Sequence, residues 1–175
     1  MRDHGLYLPE AVASDIRRHG EETYPHECCG ALVGREGRVA AAVALPNTTE
    51  EGPRRRFLVR PSDYLLAERR ARELGGELLG FYHSHPDHPA RPSQYDLDHA
   101  WPTFAYVIVS VAGKALARQS ADLSRQSAEG ATAEGAAAAD ITVWWLKEDR
   151  STFEEGTFEH GDENPDSNPA AAVHG

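Results

Sequence analysis

The stretch Phe81-Tyr82-His83-Ser84-His85-Pro86-Asp87-His88-Pro89-Ala90-Arg91-Pro92-Ser93-Gln94-Tyr95-Asp96 decides how this chain is read. Glu77 to Tyr82 is apolar enough for a buried strand, and Pro86 prevents its continuation. His83 and His85, two apart at the strand's end, fall on one face because side chains alternate with a period of two. Two neutral imidazoles converging there can hold one divalent ion, and zinc accepts nitrogen ligands readily. A catalytic zinc needs three protein ligands and an open position, so a third ligand is required. Asp96, Asp87, His88 and His99 are the local candidates. Ser93-x-x-Asp96 also reads as a helix capping box, with Ser93 as N-cap of a short helix running to Ala100.

Working outward, strands and helices alternate. Leu6-Tyr7-Leu8 opens the chain, and Pro9 suits the first turn of a helix on which Val12 and Ile16 recur, fading near Gly20. Ala31 to Gly34 and Val39 to Leu45 form a hairpin around Arg35-Glu36-Gly37. Arg56 to Val59 reads as a strand. A helix follows, capped by Ser62, lined by Tyr64, Ala67, Ala71 and Leu74, and stopped by Gly75-Gly76. Tyr106 to Val111 reads as a central strand and Ile141 to Leu146 as another. The stretch 117–139 between them is Ala-, Ser- and Glu-rich without a periodic apolar face, an insertion. This alternation predicts an α/β sandwich with a mixed sheet.

Composition narrows the function. The chain has 175 residues, 18 Lys plus Arg, 28 Asp plus Glu and a net charge of −10, which argues against nucleic-acid and anionic-membrane partners. Residues 151–175 hold six acids and no Lys or Arg, so residues 1–150 carry a net charge of only −4. No apolar run approaches the ~18–20 residues of a membrane span, and Met1 to Gly5 lacks a signal-peptide core. Cys28 and Cys29 are adjacent and cannot staple distant segments, so they read as small buried thiols in a reducing cytoplasm. Trp101, Trp144 and Trp145 read as core or edge aromatics, and Arg54-Arg55-Arg56 as a solvated strand end.

Two families share this spacing. His83-x-His85-x-Asp87-His88 satisfies the HxHxDH pattern of the metallo-β-lactamase superfamily, but the later ligands that fold needs are missing. The segment resembles far more closely the JAMM metalloprotease motif of MPN-type domains. That motif is a glutamate, a long gap, His-x-His, ten residues and Asp. Its fuller form stands here as His83-Ser84-His85-Pro86 and Pro92-Ser93-Gln94-Tyr95-Asp96, and Tyr24 to Gly34 resembles the segment carrying the glutamate, Glu27.

The resemblance implies a three-layer α/β sandwich, cytidine-deaminase-like, with a central mixed sheet flanked by helices. It implies a catalytic unit over residues 1–158 and leaves 159–175 as an acidic, disordered tail. His83, His85 and Asp96 would hold one catalytic zinc, Glu27 would serve as general base and acid, and Ser93 would donate to the oxyanion. No structural zinc is expected, because residues 117–139 contain neither Cys nor His. The implied activity is hydrolysis after the C-terminal Gly-Gly of a ubiquitin-like or sulfur-carrier protein, the stand-alone prokaryotic pattern, with a homodimer possible. The competing expectation is a metal-free MPN-type scaffold, which typically lacks one or more of these five residues.

Overall fold

The computed structural model describes residues 5–47, 59–113 and 140–159. The expected insertion and most of the expected tail therefore lie outside the described residues, as do Arg54-Arg55-Arg56 and all of the expected strand at Arg56 to Val59 except Val59. In chain order the elements are β1 (Gly5–Tyr7), α1 (Glu10–Thr23), β2 (Cys29–Arg35), β3 (Arg38–Leu45), α2 (Pro61–Glu73) and β4 (Glu77–Pro86). They continue with α3 (Gln94–His99), β5 (Ala105–Val111), β6 (Ile141–Leu146), β7 (Phe153–Glu155) and β8 (Thr157–Glu159).

The β2–β3 hairpin turns at Glu36 and Gly37, both with positive φ (49° and 74°), a geometry that matches the twist of the paired strands. β4, the strand of the two histidines, pairs antiparallel with β2 and parallel with β5, so it lies deep in the sheet. The full order is β7-β6-β5-β4-β2-β3-β1-β8, mixed as expected. Helices cover both faces. Val12, Ala13 and Ile16 of α1 pack with Leu32, Tyr82, Val107 and Val109 on one side. Ala67 of α2 packs with Ala31, Phe81 and Tyr106 on the other. This is an α/β sandwich of three layers, and fully burying one side chain such as Ile16 contributes ~1.5–3 kcal/mol.

Two local expectations are corrected. α1 does not end at Gly20 but runs through it to Thr23, because the glycine serves close packing. A Cβ there would come within 2.7 Å of Val111 Cγ2 and 3.3 Å of Ser84 Cβ. α2 is capped by Arg60, not Ser62. Pro61 suits its first turn, and the Asp63 carboxylate accepts from Arg60 N at 3.2 Å and Arg60 Nε at 3.0 Å. Two short strands, β7 and β8, occupy Phe153 to Glu159, and β8 pairs in parallel with β1. The sheet therefore reaches into the beginning of the acidic segment.

Among the described residues no helix is long and apolar enough to cross a membrane.

Candidate metal centre

β4 carries the chemistry at its C-terminal end, where its parallel partner β5 and the following crossover open a crevice. Alternation puts Phe81, His83 and His85 toward α2 and α3, and Tyr82 and Ser84 toward α1. The loop after Pro86 then returns through Ser93, the N-cap of α3. Ser93 Oγ accepts from Asp96 N at 3.2 Å, and Asp96 Oδ2 accepts from Ser93 N at 2.6 Å. The capping box predicted from the sequence thus sets the Asp96 carboxylate beside the histidines. Ser93 Oγ also donates to Asp96 Oδ2 at 2.7 Å.

His83, His85 and Asp96 form a buried cluster whose ligand atoms lie within 4.8 Å of one another. His83 Nε2 is 3.1 Å from His85 Nε2 and 3.4 Å from Asp96 Oδ1, and His85 Nε2 is 3.6 Å from Asp96 Oδ2. Ligands bound tetrahedrally at ~2.0–2.1 Å stand ~3.4 Å apart, so these spacings fit the edges of a zinc coordination shell. The electrostatics fit as well. Burial holds His83 below its ordinary pKa, so the imidazole is neutral. Burial works against ionisation of Asp96, but the two imidazoles and the Ser93 N–H together hold its carboxyl well below the usual range. For His85 burial is outweighed by bonds to Asp96 and Pro89, which raise its pKa. Its Nδ1 lies 2.9 Å from Pro89 O, an oxygen that can only accept, so Nδ1 carries hydrogen and Nε2 is the ring nitrogen turned to the cluster.

Glu27 sits in the connection between α1 and β2 and is 5% exposed. Burial pushes its carboxyl up from 4.5 to about 8, with His85 opposing and Asp96 adding to the shift. Its Oε2 is buried with no hydrogen-bond partner among the described residues, an unusual state for a carboxylate oxygen. Three contacts hold the backbone here, one of them the bond from Ser84 N to Cys28 O at 3.2 Å. Ser84 Oγ accepts from Cys28 N at 2.8 Å, and Asn47 Nδ2 donates to Glu27 O at 3.0 Å. Ser84, between the two histidines, therefore grips the residue after Glu27 from the opposite face of β4.

Of the other candidates for a third ligand, Asp87 and His99 are engaged elsewhere. Asp87, at φ 57°, accepts from Tyr24 O–H at 2.7 Å and from Gly113 N at 2.8 Å, tying the ligand loop to the chain ahead of Glu27. His99 stacks on Tyr95 and bonds its carbonyl. His88 lines the mouth of the crevice, a cavity of about 340 Å³ shared with Glu27, His85, Pro89, Arg91 and Ser93. Cys28 and Cys29 are free and buried, and burial pushes the Cys28 thiol up to about 11, so neither serves as a nucleophile. Ser84, Asn47 and the Tyr24–Asp87 bond were invisible to sequence reasoning. Each joins positions 20 or more apart in the chain, and no local pattern announces them.

The family described as prokaryotic homologs of the JAB domain matches residues 9–126. The chain belongs to it. The JAMM-type resemblance read from the motifs thus holds. The chain is similar to a protein of Thermus thermophilus named a probable TtuB-protein conjugate cleaving protease, 35% identical over 112 residues, or 63% of this chain and 74% of that one. It is also similar to a desampylase of Haloferax volcanii, 31% identical over 113 residues, or 63% of this chain and 81% of that one. A solution structure of a Desulfitobacterium hafniense protein superposes with a TM-score of 0.64 and 27% identity, covering 91% of this chain and 93% of that one. The matched span of this JAB-domain chain contains His83, His85, Asp96 and Glu27.

Proposed function

We propose that the chain is a zinc-dependent isopeptidase that hydrolyses the bond after the C-terminal Gly-Gly of a ubiquitin-like or sulfur-carrier protein. The observation that carries this reading is the buried His83–His85–Asp96 cluster with tetrahedral spacing, next to a buried, unpartnered Glu27 carboxylate oxygen. The relatives named for cleaving protein conjugates support the substrate class.

His83, His85 and Asp96 would hold the ion. Zinc bound there supplies a water whose pKa falls from ~15.7 towards ~7. Glu27 takes a proton from the attacking water as the new carbon–oxygen bond forms. Its buried oxygen without a hydrogen-bond partner suits it to both halves of the reaction, free to accept that proton and to hold it until the amine departs. Glu27 then gives the proton to the leaving lysine nitrogen as the carbon–nitrogen bond breaks. Ser93 Oγ, now donating to Asp96, turns its hydrogen to the oxyanion of the tetrahedral intermediate. His85 is oriented by Pro89, and Ser84 holds the backbone beside Glu27. The extended Gly-Gly lets the carrier's backbone approach this buried site without a side chain in the way.

Glu27→Gln tests the assignment. The variant is expected to bind zinc as the native protein does and to lose at least about a hundredfold in kcat on a carrier–lysine conjugate. Full cleavage by zinc-loaded Glu27→Gln would refute it.

A further inference from the structure

A second cavity adjoins the catalytic mouth and has no part in holding metal or moving protons. It measures about 270 Å³ and is lined by Leu97, Trp144 and Phe153 with Gln94 and Thr152, and it shares Arg91 and Ser93 with the mouth. Ligand sites for whole small molecules run ~300–1,000 Å³, so this space suits a single large side chain. Its aromatic wall is built in advance. Trp144 Nε1 donates to Thr142 Oγ1 at 2.8 Å, Thr142 Oγ1 donates to Ala90 O of the ligand loop at 2.6 Å, and Phe153 packs edge-on against Tyr106 at 5.4 Å. The wall is thereby fastened to the loop that joins His85 to Ser93.

The side of the scissile bond follows from the chemistry. Glu27 hands its proton to the departing amine, so the amine lies against Glu27, whereas Ser93 faces the carbonyl. Glu27 lines the catalytic mouth and not the second cavity, and Ser93 lines both. The second cavity therefore continues from the acyl side. The last two carrier residues are glycines, so the first side chain available to fill it belongs to the residue before them. We infer that the Leu97–Trp144–Phe153 cavity is a specificity pocket for an apolar side chain on the carrier residue that immediately precedes Gly-Gly. This inference rests on the isopeptidase reading above. Trp144, Thr152 and Phe153 lie outside the span matched by the family, so the pocket sets this chain's own choice of substrate rather than the shared reaction.

The test uses synthetic peptides ending in Xaa-Gly-Gly, joined through an isopeptide bond to a lysine reporter, with Xaa as Phe, Leu, Ala or Asp. The full-length, zinc-loaded protein is expected to cleave the Phe and Leu peptides with kcat/KM about tenfold above Ala, and Asp below Ala. Thr152 is exposed, so Thr152→Trp fills the pocket without disturbing the core, and the Phe-to-Ala ratio should fall to within about twofold of one. Phe153→Ala should lower the same ratio. Equal cleavage of all four peptides overturns the pocket and leaves the isopeptidase reading standing. A preference that survives Thr152→Trp, or that follows the residue beside the acceptor lysine, also overturns it. Cleavage of none of them overturns both.

Discussion

Ser84→Ala removes one oxygen atom and is expected to damage a residue that Ser84 never touches. Ser84 is fully buried on the α1 face of β4, and its Oγ is the acceptor for Cys28 N at 2.8 Å. Alanine leaves that buried N–H without a partner, a loss of ~1–3 kcal/mol. At ~2–4 °C per kcal/mol for a chain of this size, the melting temperature should fall by about 2–12 °C. The second effect is local. Glu27 precedes Cys28, and a catalytic group displaced by ~1 Å can lose ~100-fold in rate, so kcat should fall by about one to two orders of magnitude with KM little changed. His83 and His85 face the other side of the strand, so zinc content should be retained. Ser84→Cys keeps a weak acceptor at the position and should recover part of both losses. The measurements are thermal unfolding, zinc stoichiometry and steady-state kinetics on one conjugate. A Ser84→Ala protein with kcat within about twofold of native would refute the claim that this bond positions the base.

Two further outcomes follow from burial. Glu27 is raised to about 8 in the folded, zinc-free protein against 4.5 unfolded, so its contribution to stability is full below pH 4.5 and is lost as pH rises through 8. Zinc-free native protein should therefore lose stability over that window, measured by denaturant unfolding, and zinc-free Glu27→Gln should show less of the decline. The Cys28 thiol, pushed up to about 11, is almost entirely protonated at pH 8, and Cys29 is shifted in the same direction. Iodoacetamide at pH 8 should modify both cysteines only after unfolding, read by mass spectrometry, and rapid native labelling would contradict their burial.

The His83–His85–Asp96 cluster was legible because its signals are local. Strand alternation aligns His83 with His85, and the Ser93–Asp96 capping box brings in the carboxylate within one helical turn. The strands β5 and β6 are apolar and β-branched, and β4 is apolar up to Tyr82 and ended by Pro86, so all three are read as strands directly. The edge strands were not. β7 and β8 are three residues each and rich in glutamate, and they exist because β6 and β1 offer them open edges. Gly20 misled for a related reason. A glycine inside a helix reads as a stop, and only the sheet pressed against α1 shows that it is there to admit Ser84 and Val111. Glu27 was found by its resemblance to a motif, since a single glutamate before a strand carries no periodic signal. What fixes Glu27 comes from β4 and from Asn47, which only the folded chain brings near it.

The most direct measurement is the mass of the products when the zinc-loaded protein meets a ubiquitin-like carrier joined through Gly-Gly to a lysine of a second protein. The expected result is a carrier ending in a free glycine carboxylate and a second protein with its lysine amine restored, their masses together one water above that of the conjugate. Cleavage should stop when zinc is chelated, return when zinc is added back, and be absent from Asp96→Ala. An intact conjugate in the presence of zinc-bound protein, or cleavage that persists after chelation, would contradict the account.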